Sequence, residues 1–351
     1  MSRMSSLIYH MTIFMFRGVA YINTDVCLSG PILEPVASPT LMDILVPATR
    51  DIQSPVDDSM SYYDYWRSWS GEGDSFNPEV SPFVGSGSDH ATFIFYAGVP
   101  VLDIMFMADR KKYPDIGGYP AYHTGFETFD LVDTVYDPEF KIFRACSQLN
   151  LRVGLELAEV SKLPLKMIHY AELMEDGFNL LQENGVIQRL ENLGVETQYV
   201  NASIREFRVA AAEFDFSASN GLDLSDAELR VLNDQMQGFE KTFLLYEGLP
   251  DRIQYRHVVT APSLFDAYGG SAFPGIGDLI YKLDQIQDQE SVEYKTVMKQ
   301  IKKHVSDLMI IIKRAAHYIK PHPRFQAPRS SAESIQLSLI PCLVFAFFNM
   351  F

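Results

Sequence analysis

Cysteine is scarce in this chain: Cys27, Cys146 and Cys342 lie far apart and form no Cys-x-x-Cys pair. That spacing signals neither a disulfide framework nor a cysteine zinc site, and it leaves the redox compartment open. Basic charge is also short. With 29 Lys and Arg against 45 Asp and Glu the net charge is -16, which argues against a nucleic-acid partner, because phosphate binding needs clustered Lys and Arg. No clear transmembrane segment is present: the apolar stretch 335–351 is interrupted by Pro341 and is shorter than the roughly 20 residues a spanning helix needs. Three catalytic signatures are missing as well. No His-Glu-x-x-His occurs, which excludes a one-helix zincin site. No Gly-x-Ser-x-Gly elbow occurs, which excludes the α/β-hydrolase arrangement. Gly85-Ser-Gly-Ser lacks the Lys-Ser/Thr ending of a phosphate loop and, taken alone, is a turn before a helix.

What remains is an ordinary globular composition, 47% hydrophobic and 21% charged, too apolar for disorder. The first half reads as α/β. Gly18-Val-Ala-Tyr-Ile-Asn-Thr-Asp25 is an apolar run with a polar end, which suits a buried parallel strand. Ligands gather at the carboxyl ends of such strands, and Asp25 stands at one. Residues 39–52 have helical spacing with Ser38 as N-cap, and 53–82 read as a surface excursion. A helix over 89–97, a strand over 99–107 and a long helix over 137–163 follow, the last with Phe140, Phe143, Leu151, Val153 and Leu157 towards the core. From 165 the character changes. Residues 170–193, 203–219, 225–245, 275–286 and 291–319 all show helical periodicity. The expectation is a partial α/β sheet with flanking helices over 17–164 and an all-α bundle over 165–320. Residues 1–16 and 321–351 read as divergent ends, the first like a weak signal peptide without a small-residue cleavage site. Asn201-Ala-Ser203 is a single glycosylation sequon.

The histidines look mostly structural by position. His90 falls on the first turn of a helix, His257 in a loop rich in polar partners, and His317 at a solvated helix end. By spacing alone, Asp25 is more often a cap or turn residue than a ligand, and His123 more often a core or surface histidine.

Ordered motifs raise the weight of these two residues. Arg17-Gly-Val-Ala-Tyr-Ile-Asn-Thr-Asp25, Gly85-Ser-Gly-Ser-Asp89 and Gly118-Tyr-Pro-Ala-Tyr-His123 resemble the glutamate carboxypeptidase II and NAALADase-like family of cocatalytic-zinc peptidases. Leu232-Asn-Asp-Gln235, Gly248-Leu-Pro-Asp-Arg252, Tyr255-Arg-His-Val258 and Phe273-Pro-Gly-Ile276 resemble the same family's helical dimerisation domain, shared with the transferrin receptor. The resemblance runs from about residue 17 to 319 and covers the C-terminal part of the family's length.

It implies two zinc ions per complete site, a peptide substrate, a homodimer through the helical domain, and a membrane-anchored ectodomain or secreted protein. Asp25 matches a zinc ligand on one metal and His123 a ligand on the other. Tyr122 matches the tyrosine that hydrogen-bonds the scissile group. Ser86, Gly87 and Ser88 match the turn lining the pocket, and Tyr268 the tyrosine that closes it. Where glutamate-cleaving members carry basic residues, this chain has Pro35, Ile104, Phe106 and Ala267, so the resemblance implies an exopeptidase that is not glutamate-specific. The family's other zinc ligands and its general-base Glu belong upstream of the Asp25 strand, and the 24 residues there hold no such pattern. The expectation is a catalytically incomplete chain. The alternative is a non-catalytic dimerisation or receptor-like module.

Overall fold

A computed structural model describes residues 17–70, 78–115, 119–219 and 224–321. The two divergent ends, apart from Pro321, and Gly118 of the Tyr122–His123 motif lie outside these residues.

The predicted strand forms as β1 (Tyr21–Asn23). The apolar run 99–107 divides into β4 (Val101–Asp103) and β5 (Phe106–Met107). Between them in sequence come β2 (Ile32–Leu33) and β3 (Val36–Ala37). β4 is the centre of a three-stranded sheet in the order β1-β4-β3, with β1 parallel and β3 antiparallel to it. Register places Asn23 opposite Asp103. All three β4 residues are buried, which is why the segment reads as a nearly unbroken apolar run with one acid inside it. β2 and β5 form a separate antiparallel pair.

Several local expectations change. Residues 39–51 are a short α1 (Met42–Ala48) between two 3-10 turns, with Pro47 inside it. Ser38 does not cap it; its Oγ accepts the Val101 amide hydrogen at 2.9 Å and ties the turn to β4 instead. The supposed surface excursion contains α2 (Tyr62–Ser70), whose Tyr62, Tyr63 and Trp66 are buried. A Tyr/Trp stripe at helical spacing was hidden there by its Ser and Asp neighbours. The long helix is α3 (Lys141–Glu159), shorter at both ends than expected. Its buried face is Ile142, Ala145, Cys146, Leu149 and Val153, whereas Leu151 is 64% and Phe140 37% exposed. Phe140 precedes the helix in the left-handed conformation, φ 53°, which turns its ring off the core face.

The second half is helical as expected: α4 (Ile168–Glu183), α5 (Val186–Asn192), α6 (Gln198–Ser219), α7 (Asp226–Phe239), α8 (Pro274–Asp284) and α9 (Val292–Tyr318). Gly185, at φ 73°, breaks α4 from α5. Ser225 and Glu228 close a capping box on α7, an arrangement that contributes about 1 kcal/mol. A hairpin of β6 (Thr260–Pro262) and β7 (Gly270–Ala272) precedes α8. α9 packs on α6 and α8, and each fully buried Leu or Ile on its inner face contributes roughly 1.5–3 kcal/mol.

The motif residues of this half are joints. Asn233 accepts from the Leu163 amide at 3.0 Å and donates to the Ser161 carbonyl at 2.8 Å. Arg252 pairs with Asp278 and donates to the Pro262 carbonyl at 2.7 Å. Phe273, at φ 51°, turns the chain into Pro274 at the start of α8. One continuous apolar core runs from Leu33 to Ile319. The sequon sits in α6, where Ser203 is fully buried and donates to the Tyr199 carbonyl at 2.7 Å. Among the described residues no helix is long and apolar enough to cross a membrane.

Candidate functional site

A cleft of about 700 Å³ opens beyond the carboxyl end of β1. It is bordered by Asp25, Cys27, Gly87, Tyr122, His123, Glu127 and Tyr268, among others. Five of the seven sequence-predicted site residues therefore share one wall, although they span 25 to 268 in the chain.

Asp25 lies two residues past the last residue of β1. The preceding Thr24 donates its hydroxyl hydrogen to Asn150 Oδ1 on α3 at 2.7 Å. The following Cys27 is disulfide-bonded to Cys146 on α3, with Cα atoms 6.0 Å apart. Sequence spacing gave no sign of this bond, because the partners are 119 residues apart. Asp25 is thus held between two tethers to the same helix, and its carboxylate stays exposed.

His123 is exposed and has φ 57°, a left-handed conformation that costs a non-glycine residue about 1 kcal/mol or more. Its amide donates to Glu127 Oε2 at 3.0 Å, and the Tyr122 ring stacks on the imidazole at 3.8 Å. Glu127 thus steadies the turn that presents the pair. Among the described residues the Asp25 carboxylate and the His123 ring have no hydrogen-bonded partner. Carboxylate oxygen and imidazole nitrogen are zinc donors, so both fit a metal. They fit as part of a ligand set: no group of three or more His, Cys, Asp or Glu able to hold a metal occurs among the described residues.

Of the three turn residues only Gly87 borders the cleft. A Cβ there would lie 2.9 Å from the exposed Tyr268 ring, which would have to move aside, and one on Gly85 would lie 1.9 Å from the Tyr268 carbonyl oxygen, so position 85 requires glycine for close approach. Ser86 and Ser88 work inside the wall. Ser86 donates from its amide (2.9 Å) and its hydroxyl (2.8 Å) to the Ala267 carbonyl. Ser88 Oγ accepts from Asn23 Nδ2 at 3.1 Å.

The four positions expected to define an uncharged pocket do not border this cleft. Ile104 and Phe106 are fully buried in the core. The cleft's own lining includes the carboxylates Asp25 and Glu127 and, among the described residues, no Lys or Arg. Residues missed by sequence reasoning are Glu127, Asn150, the Cys27–Cys146 pair, and the buried Asn23, Asp103 and His90. Asp103 alone carried a readable signal, an acid inside an apolar strand.

Residues 195–320 match the transferrin receptor-like dimerisation domain. The chain is 27% identical over 314 residues to aminopeptidase NAALADL1 of Rattus norvegicus, covering 87% of this chain and 40% of that protein. It is 30% identical over 280 residues to the probable glutamate carboxypeptidase LAMP1 of Arabidopsis thaliana, covering 79% and 38%. It is 29% identical over 282 residues to a probable glutamate carboxypeptidase of Arthroderma benhamiae, covering 79% and 36%. The chain belongs to the glutamate carboxypeptidase and NAALADase-like family. It spans about two fifths of the length of the curated relatives it matches.

Proposed function

We propose that this chain forms the C-terminal part of a zinc-dependent exopeptidase. Residues 17–164 serve as part of the peptidase domain and 165–320 as a homodimerisation domain. The observation that carries this reading is the assembly of Asp25, Gly87, Tyr122, His123 and Tyr268 on one cleft at a strand's carboxyl end. Asp25 and His123 each offer a donor to one of two zinc ions, which when bound supply Lewis-acid activation of the peptide carbonyl and of water. The Tyr122 hydroxyl donates a hydrogen bond to the scissile group as negative charge develops on its oxygen. The 85–88 turn and Tyr268 shape the recess for the substrate's terminal residue. A cleft lined by Asp25 and Glu127, without a cation among its described residues, disfavours an acidic terminal side chain. The remaining ligands and the general base are outside the set found among the described residues, so this portion alone is catalytically incomplete. Peptide hydrolysis and zinc content of the longer protein containing this chain test the reading. Asp25→Asn and His123→Ala should each lower kcat at least about 10²-fold and reduce bound zinc. Unchanged activity in both variants would refute it.

A second reading, a non-catalytic dimerisation or receptor-like module, is favoured by the match over 195–320. A chain that sediments as a dimer and neither binds zinc nor hydrolyses peptides in its longer form would establish it.

A further inference from the structure

Behind the cleft wall, buried polar side chains connect β1 and β4 to the 85–88 turn. Asn23 Nδ2 donates to Asp103 Oδ1 at 2.9 Å and to Ser88 Oγ at 3.1 Å. His90 Nε2 lies 2.9 Å from the Gly85 carbonyl oxygen. A carbonyl only accepts, so Nε2 carries the hydrogen. His90 Nδ1 then lies 3.5 Å from Asp103 Oδ2, the nearest acid, and makes no hydrogen bond of its own among the described residues. His90 is 4% and Asp103 3% exposed. At that depth an imidazole nitrogen and a carboxyl oxygen facing each other hold a proton between them, because leaving both bare strands two polar atoms away from water. Burial pushes the Asp103 carboxyl up, against the Asn23 hydrogen bond and His90, and nearby Asp25 adds to the rise.

We propose that His90 and Asp103 are positioning residues, a proton-sharing pair that grips the Gly85 carbonyl and sets the 85–88 turn against the Tyr268 loop. Neither side chain borders the cleft, so neither touches substrate. The mechanical link outward is short. Gly85 packs on the Tyr268 backbone so closely that a Cβ would collide with it. Ser86, next in sequence, bonds twice to the Ala267 carbonyl. The cleft's lining at Gly87 and Tyr268 is thereby referred back to Asn23, two residues before Asp25. The inference rests on the reading of this turn as a pocket wall, but its test needs no turnover, so a failed peptidase assay and a failed test here are separate results.

The test is amide hydrogen exchange of the full chain at Ser86, whose amide bonds to Ala267, read against Met167, whose amide is held by Asp215. Asp103→Leu should speed exchange at Ser86 about tenfold or more and leave Met167 unchanged. Asp103→Asn, whose side-chain amide can donate to Nδ1 and accept from Asn23, should stay within about threefold of wild type. An Asn variant as disrupted as the Leu variant, or a Ser86 amide that neither variant moves, overturns the proposal. Should Asp103→Leu fail to fold, the ¹⁵N shifts of the wild-type His90 ring decide. A hydrogen on Nε2 at pH 7 with Nδ1 hydrogen-bonded supports the pair, and an unprotonated Nε2 overturns it.

Discussion

The helical half and the cleft wall of the α/β half place their ionisable pairs differently. In the helical half, charges are closed in on one another. Glu240 and His257 are fully buried: Glu240 accepts from the Tyr170 hydroxyl and faces His257 Nε2 at 3.3 Å. The Thr260 amide donates to His257 Nδ1 at 3.1 Å, which fixes the ring hydrogen on Nε2, facing the carboxylate. Arg252 and Asp278 form a second closed pair. At the cleft, by contrast, the Asp25 carboxylate and the His123 ring are exposed without hydrogen-bonded partners among the described residues, one between two tethers and the other on a strained turn. Satisfied polar groups hold a structure together; exposed, unsatisfied ones on a rigid frame are available for chemistry. The difference teaches which acids and imidazoles to assign to folding and which to ligand.

The comparison breaks most visibly in the closed networks. Asp278→Ala should destabilise the chain by about 3–5 kcal/mol, because it leaves the Arg252 guanidinium buried without its carboxylate; urea unfolding measures this. Cys146→Ser should cost about 2–5 kcal/mol by freeing a 119-residue loop in the unfolded chain. The same unfolding with and without reductant checks it, and the variant should be insensitive to reductant. His304 is smaller in effect and specific in sign. It is 2% exposed, with both ring nitrogens lacking a partner among the described residues, and a Cβ on Gly275 would lie 2.2 Å from its Nε2. Burial lowers its pKa to about 4, with Asp307 opposing and Lys303 adding. The folded-state pKa lies below the unfolded one, so the neutral ring's contribution is complete above the ordinary histidine value of 6.5. It is lost as pH falls towards 4, at up to about 1.4 kcal/mol per pH unit. His304→Leu should flatten that slope in stability measured from pH 7 to 4. Smallest are the site residues themselves. Asp25→Asn should change stability by no more than about 0.5 kcal/mol, and His123→Gly should be neutral or slightly stabilising because glycine tolerates φ 57°. A loss of several kcal/mol at either would place that residue with the closed networks.

The helical half was the more legible in sequence. Its periodicity survives over long stretches, and Ser225 and Ser291 mark their helix starts as N-caps. The strand regions at 21–23 and 101–107 were found, whereas β2, β3, β6 and β7 were not. Ile104 and Phe106 were assigned to a pocket through the family resemblance, and they lie in the core instead. Helix α2 was missed because its polar composition masked Tyr62, Tyr63 and Trp66. In α3, apolarity alone could not tell that Leu151 faces out and Leu149 in. For the site, Asp25, Tyr122, His123 and Tyr268 were named through motifs. What supports them, the disulfide, the Thr24–Asn150 bond and the His90–Asp103 pair, depends on residues brought together only by the fold.

The bonds from Ser86 to the Ala267 carbonyl join positions 181 residues apart. Contacts of such long range carry a larger loop-closure cost than local ones and go with slower folding. The cleft draws on distant parts of the chain: Asp25, Tyr122 and His123 belong to the first half, and Tyr268 lies in the β6–β7 hairpin before α8. A ribosome or a protease that stops the chain short of residue 268 yields a product with Asp25 and His123 present and the cleft open on one side.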